Sequence, residues 1–256
     1  MLKLRCTPWD LVVRPERGGR VTSLRLQDEE LLEQGIGIDR PAAEGFVEGG
    51  AAGWDEAVPT VDAARYPGPG PWAGINLPDH GEAWRMEWSV VDQSERHVTT
   101  RCAGRLLPWQ LERRLELTEP AVRASYMYEN LGREPVYAYW CAHPLFKYTV
   151  GMEVGVEHGD ALAHLAEGTS VKRFLRRGSV DRVRLAWPTG TAVEVAWDPA
   201  LTPYVGVWVC NGDLGGYRQI AIEPATGGAD RPHLAAPPPL LPPGASLRWW
   251  LEIRRG

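Results

Sequence analysis

The sequence predicts a mostly β protein, a large antiparallel β-sandwich, and three observations carry that expectation. Stretches with a two-residue hydrophobic period recur along the chain. Turns rich in glycine, proline and aspartate separate them. The 22 prolines and 28 glycines, spread over 256 residues, leave little room for long helices.

Each element follows from its residues. Arg20 to Leu26 alternates polar and apolar side chains, as do Val183 to Trp187 and Val193 to Trp197. Tyr204 to Cys210, Gln219 to Glu223 and Ser246 to Ile253 also read as strands. Arg123 to Asn130 and Val136 to Trp140 read as two strands joined by the turn Leu131-Gly132-Arg133-Glu134-Pro135. A short helix is expected over Thr169 to Arg177. The proline-rich stretch Ala235 to Pro243 leads extended chain into the last strand. No composition break marks a linker, so residues 1–256 are expected to form one domain, a length within reach of a single β-sandwich.

Composition excludes several function classes. Net charge is −5 with both signs scattered, whereas a nucleic-acid surface needs a clustered basic face. The one basic cluster, Lys172, Arg173, Arg176 and Arg177, reads as a solvated loop or strand edge. No apolar run approaches the ~18 residues of a membrane helix, and Met1 to Arg5 lacks the apolar stretch of a secretion signal. The cysteines Cys6, Cys102, Cys141 and Cys210 are far apart and form no CxxC pair, which fits reduced thiols in a cytoplasmic chain. The histidines lack short metal-ligand spacing, and no phosphate loop or nucleotide fingerprint is present. Twelve tryptophans against three phenylalanines suit a sugar, because indole offers a flat apolar face and an N–H donor; tryptophan is also an ordinary core residue.

Five segments place polar side chains beside glycine, proline or tryptophan. In Gly53-Trp54-Asp55-Glu56 two carboxylates follow a tryptophan in a turn, as substrate contacts or as a solvated loop. In Pro78-Asp79-His80-Gly81-Glu82-Ala83-Trp84 a histidine in a tight turn projects into a cleft or onto plain surface. In Cys141-Ala142-His143-Pro144 a histidine follows a buried strand, as a hydrogen-bonded core residue or as a general acid or base. In Tyr204 to Asn211 the alternation puts Val205, Val207 and Val209 on one face and Gly206 and Trp208 on the other, where Trp208 floors a site or simply packs. In Ile220-Ala221-Ile222-Glu223-Pro224 a carboxylate closes an apolar strand, where burial raises its pKa toward that of a base unless it is merely hydrogen-bonded.

In this order the segments resemble the aldose 1-epimerase (galactose mutarotase) family. The resemblance rests on Gly53-Trp54-Asp55-Glu56, Pro78-Asp79-His80-Gly81-Glu82-Ala83-Trp84, Ala142-His143-Pro144-Leu145-Phe146 and Glu223-Pro224-Ala225-Thr226-Gly227. Gly18-Gly19-Arg20-Val21 near the start and Leu241 to Ser246 near the end extend it over nearly the whole chain. It implies a β-sandwich of the galactose-mutarotase type with a cleft on one sheet. It also implies Glu223 as general base, His143 as general acid and His80 as a second site histidine that contacts the sugar or supports the acid, with Glu223 ionised and His143 protonated at the start. No metal or redox cofactor is implied. Asp55, Glu56, Trp84, Trp208 and Asp213 are the expected substrate contacts, and the implied partner is a small sugar, with neither nucleic acid nor membrane. The galactose branch tends to carry an Asn-x-x-x-Gly-Gly segment and an arginine near this region, and the two are not found together here, so galactose itself is not implied; Arg65 and Arg85 are the arginines to consider for a phosphorylated sugar. Two other functions suit the same residues: a carbohydrate-binding protein without catalysis, and an isomerase or lyase moving a proton at a carbon of a related sugar or uronate.

Overall fold

A computed structural model describes residues 1–37, 45–68 and 70–256. Two large antiparallel sheets dominate. The nine-stranded sheet runs Leu2–Cys6, Trp9–Arg14, Arg20–Leu26, Trp54–Ala57, Cys141–Lys147, Arg218–Ala225, Tyr204–Asn211, Thr169–Phe174, with Glu29–Glu30 paired beside Arg20–Leu26. The eight-stranded sheet runs Glu153–Val154, Arg182–Ala186, Ala192–Trp197, Ser246–Arg255, Ala121–Asn130, Trp109–Leu117, His97–Ala103, Ser89–Gln93.

Their inner faces enclose one continuous apolar core. Leu11, Val13, Trp54, Val207 and Ile222 of the first sheet join Leu111, Leu115, Tyr128, Trp249 and Ile253 of the second. Trp109–Leu117 is buried at every second residue, as a strand with one solvated face must be. Trp54–Ala57 and Arg218–Ala225 behave differently: nearly every residue is buried, because both faces of the nine-stranded sheet are covered at its centre. That double cover separates the site from ordinary surface.

The strands expected over Arg20 to Leu26, Tyr204 to Cys210, Gln219 to Glu223 and Ser246 to Ile253 are present as Arg20–Leu26, Tyr204–Asn211, Arg218–Ala225 and Ser246–Arg255. Three expectations change. Thr169–Phe174 is an edge strand and not a helix; its ladder with Tyr204–Asn211 outweighs the weak helical signal of its charged residues. Val136 to Trp140 is not one strand: Val136–Tyr137 pairs with Leu240–Leu241 from the proline-rich stretch, and a separate strand starts at Cys141. His143 therefore lies within a strand and does not follow one. Finally, Asp55 and Glu56 sit on a strand, not in a turn.

Among the described residues no helix is long and apolar enough to cross a membrane.

Candidate functional site

Strand register assembles the site. In an antiparallel sheet, opposed residues share a face and successive residues alternate faces. His143 opposes Asp55, Glu223 opposes Gly206, and Trp208 opposes Lys172. The ladder between Cys141–Lys147 and Arg218–Ala225 holds Cys141 against Ala225 and resumes with Leu145 against Ala221. His143 and Glu223 stand in that interval, beside Pro144 and Pro224, which have no N–H to give to a ladder. His143, Glu223, Trp208 and Lys172 thus point away from the core, into a cleft of about 190 Å³.

At the floor of the cleft, Nε2 of His143 is 3.8 Å from Oε1 of Glu223, and both side chains are almost fully buried. Nζ of Lys172 is 2.5 Å from Oε2 of Glu223 and 2.5 Å from Oδ1 of Asp230. Three residues that line the cleft each carry a buried side-chain atom with no hydrogen-bond partner among the described residues: Nδ1 of His143, Oε1 of Glu223 and Oε1 of Gln219. A buried polar atom without a partner is costly. Three around one cavity suit a ligand that carries several hydroxyls.

His80 forms one wall. It adopts left-handed backbone (φ 54°) immediately before Gly81 (φ 71°), a pair of positive φ values that turns the chain sharply. A side chain at Gly81 would place its Cβ 2.1 Å from the carbonyl oxygen of Val58, so only glycine fits there. The carboxylate of Asp79 accepts from Nδ1 of His80 at 2.9 Å and from the backbone N–H of Phe46 at 2.7 Å. Phe46 stacks on His80 with ring centroids 4.1 Å apart, and both rings meet His143 edge-on at 5.1 and 5.0 Å. Burial works to raise the pKa of Asp79, but the hydrogen bond and charge of His80 outweigh it and hold the carboxyl below its usual range.

Electrostatics pull the central pair in opposite directions. Burial, with the charges of His80, Lys172 and Arg20, holds the pKa of His143 well below that of an ordinary imidazole. That direction favours the neutral form of the imidazole over the protonated form expected as its starting state. Burial pushes Glu223 up; Lys172 works against it and Asp230 with it, and the net direction is upward. Burial works to lower Lys172, but Glu223 and Asp230 overwhelm it, so the side chain stays an ammonium.

The other expected contacts divide. Trp208 lines the cleft. Asp55 shares the face of His143, but Arg20 holds it at 3.0 and 2.8 Å. Glu56, one residue on, faces the opposite way, into the core. There Arg113 and Tyr126 each donate to it at 2.9 Å and the Trp140 indole at 2.8 Å. Alternation along one strand sends adjacent carboxylates to opposite faces, so Glu56 ties the two sheets together and lies outside the cleft. Trp84 packs behind Phe46 and does not line the cleft. Asp213 accepts from Ser170 at 2.6 Å on the surface, also outside it. Arg85 lies over the Trp84 ring, and Arg65 lines a separate hollow with Arg231. Another depression, of about 240 Å³, gathers Arg14, Arg17 and Arg20 but includes neither His143 nor Glu223.

Sequence reasoning missed Phe46, Asp62, Lys172, Gln219 and Asp230. Lys172 was visible only as one member of a basic cluster, and its exposure on an edge strand was the natural expectation. Among the described residues no group of three or more histidine, cysteine, aspartate or glutamate side chains is arranged to hold a metal ion.

No protein-family model matches the chain. No curated protein matches it either. Solved structures do. A Synechocystis protein superposes with a TM-score of 0.82 at 17% identity, covering 99% of this chain and 94% of its own. A galactose mutarotase-like protein from Lactobacillus casei gives 0.76 at 15% identity, with 100% of both chains covered. An aldose epimerase homologue from C. elegans gives 0.69 at 11%, covering 100% and 98%. At such identities the likeness speaks for architecture alone, and the chain has the fold of the galactose mutarotase-like proteins.

Proposed function

We propose that this protein interconverts the α and β anomers of a free aldose by acid–base ring opening. The observation that carries this reading is the facing pair at the cleft floor, Nε2 of His143 and Oε1 of Glu223, 3.8 Å apart. The anomeric carbon bears two oxygens, the ring oxygen and the anomeric hydroxyl. Ring opening removes the proton of that hydroxyl while the ring oxygen gains one. Two groups a few ångströms apart on one wall can reach both oxygens of one carbon.

Glu223 takes the hydroxyl proton through Oε1, its oxygen without a partner. The C1–O bond to the ring breaks, the aldehyde forms, and His143, in its protonated form, gives its proton to the ring oxygen. Rotation about C1–C2 presents the other face, and the two groups exchange roles on closure. A lowered imidazole pKa makes His143 a stronger acid when it holds the proton, and a raised carboxyl pKa makes Glu223 a stronger base. Trp208 offers an apolar face to sugar C–H groups. His80, fixed by Asp79, offers a ring edge beside His143.

The test is anomer exchange measured by NMR on a panel of free and phosphorylated aldoses. Acceleration by the wild type that Glu223→Gln abolishes supports the reading. Sugar binding without acceleration sinks it in favour of a binding protein. Solvent deuterium appearing at a sugar carbon sinks it in favour of an isomerase, because ring opening breaks no C–H bond.

A further inference from the structure

We propose that Lys172 is a positioning residue of this site: its ammonium, held between Glu223 and Asp230, clamps Oε2 of Glu223 and leaves Oε1 as the oxygen turned to the cleft. The proposal rests on the reading of Glu223 as the base.

The geometry is unusual for an edge-strand lysine. Lys172 belongs to Thr169–Phe174, the last strand of the nine-stranded sheet, and Glu223 lies two strands in, on Arg218–Ala225. To meet it, the lysine must cross Tyr204–Asn211. The residue of that strand opposite Glu223 is Gly206. A Cβ at Gly206 would stand 2.8 Å from Cε of Lys172 and 3.3 Å from Oε2 of Glu223. The missing side chain is therefore the channel through which the lysine reaches inward. Only 18% of the Lys172 side chain is exposed. A solvated lysine has strong entropic and hydration reasons to stay out; this one is held in by two carboxylates.

Asp230 is itself anchored. Its backbone carbonyl accepts from the N–H groups of Val61 and Asp62 and from the Thr60 hydroxyl. The clamp is thus rigid at one end and acts on Glu223 at the other. The groups facing Glu223 are His143 and Cys141 from Cys141–Lys147, Lys172 from the edge strand and Asp230 from the following segment. His80 and Asp62 also line the cleft, and Tyr139 adds to the surroundings. Among these, Lys172 is the cation in direct contact with the carboxylate. Without it, Glu223 would share a buried site with Asp230 and be driven toward its protonated form.

The experiment compares the wild type, Lys172→Met, Gly206→Ala and Glu223→Gln across the acid and neutral range. It reads anomer exchange and, independently of activity, the 13C titration of the Glu223 carboxyl. In Lys172→Met the acid limb and the carboxyl titration are both expected to move up by at least one pH unit, which is a tenfold or greater loss of rate at low pH. Gly206→Ala keeps the lysine but pushes its flexible end aside, so it is expected to move both readouts in the same direction by less, and it serves if Lys172→Met does not fold. A Glu223 titration that coincides in wild type and both variants overturns the proposal, as does an unchanged acid limb in a protein that Glu223→Gln inactivates. If Glu223→Gln remains fully active, the base reading fails instead, and the carboxyl titration still decides whether Lys172 clamps the side chain.

Discussion

Nε2 of His143 faces Oε1 of Glu223 across 3.8 Å, from neighbouring strands whose ladder is interrupted beside two prolines. Neither side chain is free to swing, since each is almost wholly buried. If this pair does the proton transfers, Glu223→Gln and His143→Asn are each expected to slow anomer exchange by ~10²–10⁴-fold. Both keep the side-chain shape close to the original, so sugar binding measured by NMR line broadening should persist. Loss of binding together with rate would point to a collapsed cleft.

The pH profile follows from the directions of the two shifts. Catalysis in the ring-opening direction needs Glu223 ionised and His143 protonated. Glu223 is raised above 4.5, so the rate rises with pH through a limb above that value. His143 is lowered well below 6.5, so the rate falls through a limb below that value. A bell confined to the acid side of neutrality is expected in kcat/KM. A basic limb centred at or above 6.5 would remove His143 from the role of acid.

Stability carries the same signature. The folded-state pKa of His143 is depressed, so its contribution is full above 6.5 and is lost as pH falls toward the folded value, where the unfolded chain binds a proton that the folded chain refuses. The wild type is therefore expected to lose Tm between pH 6.5 and the folded value more steeply than His143→Asn. Parallel Tm curves for the two proteins over that interval would contradict it.

Glu56 and Arg113 make a testable contrast with the cleft. Both are completely buried, and their ion pair at 2.9 Å links the two sheets. Removing one partner of such a pair leaves the other charge uncompensated, at a cost of about 3–5 kcal/mol. Arg113→Met is expected to lose about that much in denaturant unfolding while leaving KM for the sugar unchanged in the protein that remains folded. A raised KM with unchanged stability would return Glu56 to the substrate.

The turn at His80 is set by backbone conformation. Gly81→Ala would force a Cβ against the Val58 carbonyl in a left-handed position and is expected to reduce both stability and activity. His80→Asn suits the left-handed backbone, so it is expected to leave Tm nearly unchanged while weakening sugar binding. A large Tm loss in His80→Asn would make this histidine a structural residue first.

The residues by themselves determined the architecture. Alternation in Tyr204–Asn211 and Ser246–Arg255, with glycine and proline between the strands, is local information, and a strand with one buried face must repeat every second residue. The same local pattern put Trp208 and Gly206 on the face away from the valines, and the His80, His143 and Glu223 segments each supply a residue that lines the cleft, whereas the Trp54 segment does not. What only the tertiary structure decided is pairing across the sheet. Nothing near Lys172 in sequence says that it reaches over Gly206 to a carboxylate two strands away. Nothing near Glu56 says that its neighbour Asp55 takes the cleft face and leaves Glu56 to Arg113. Both outcomes depend on register between strands distant in the chain. The energy of a buried charge depends on which partner that register supplies, and a linear sequence does not contain that partner's address.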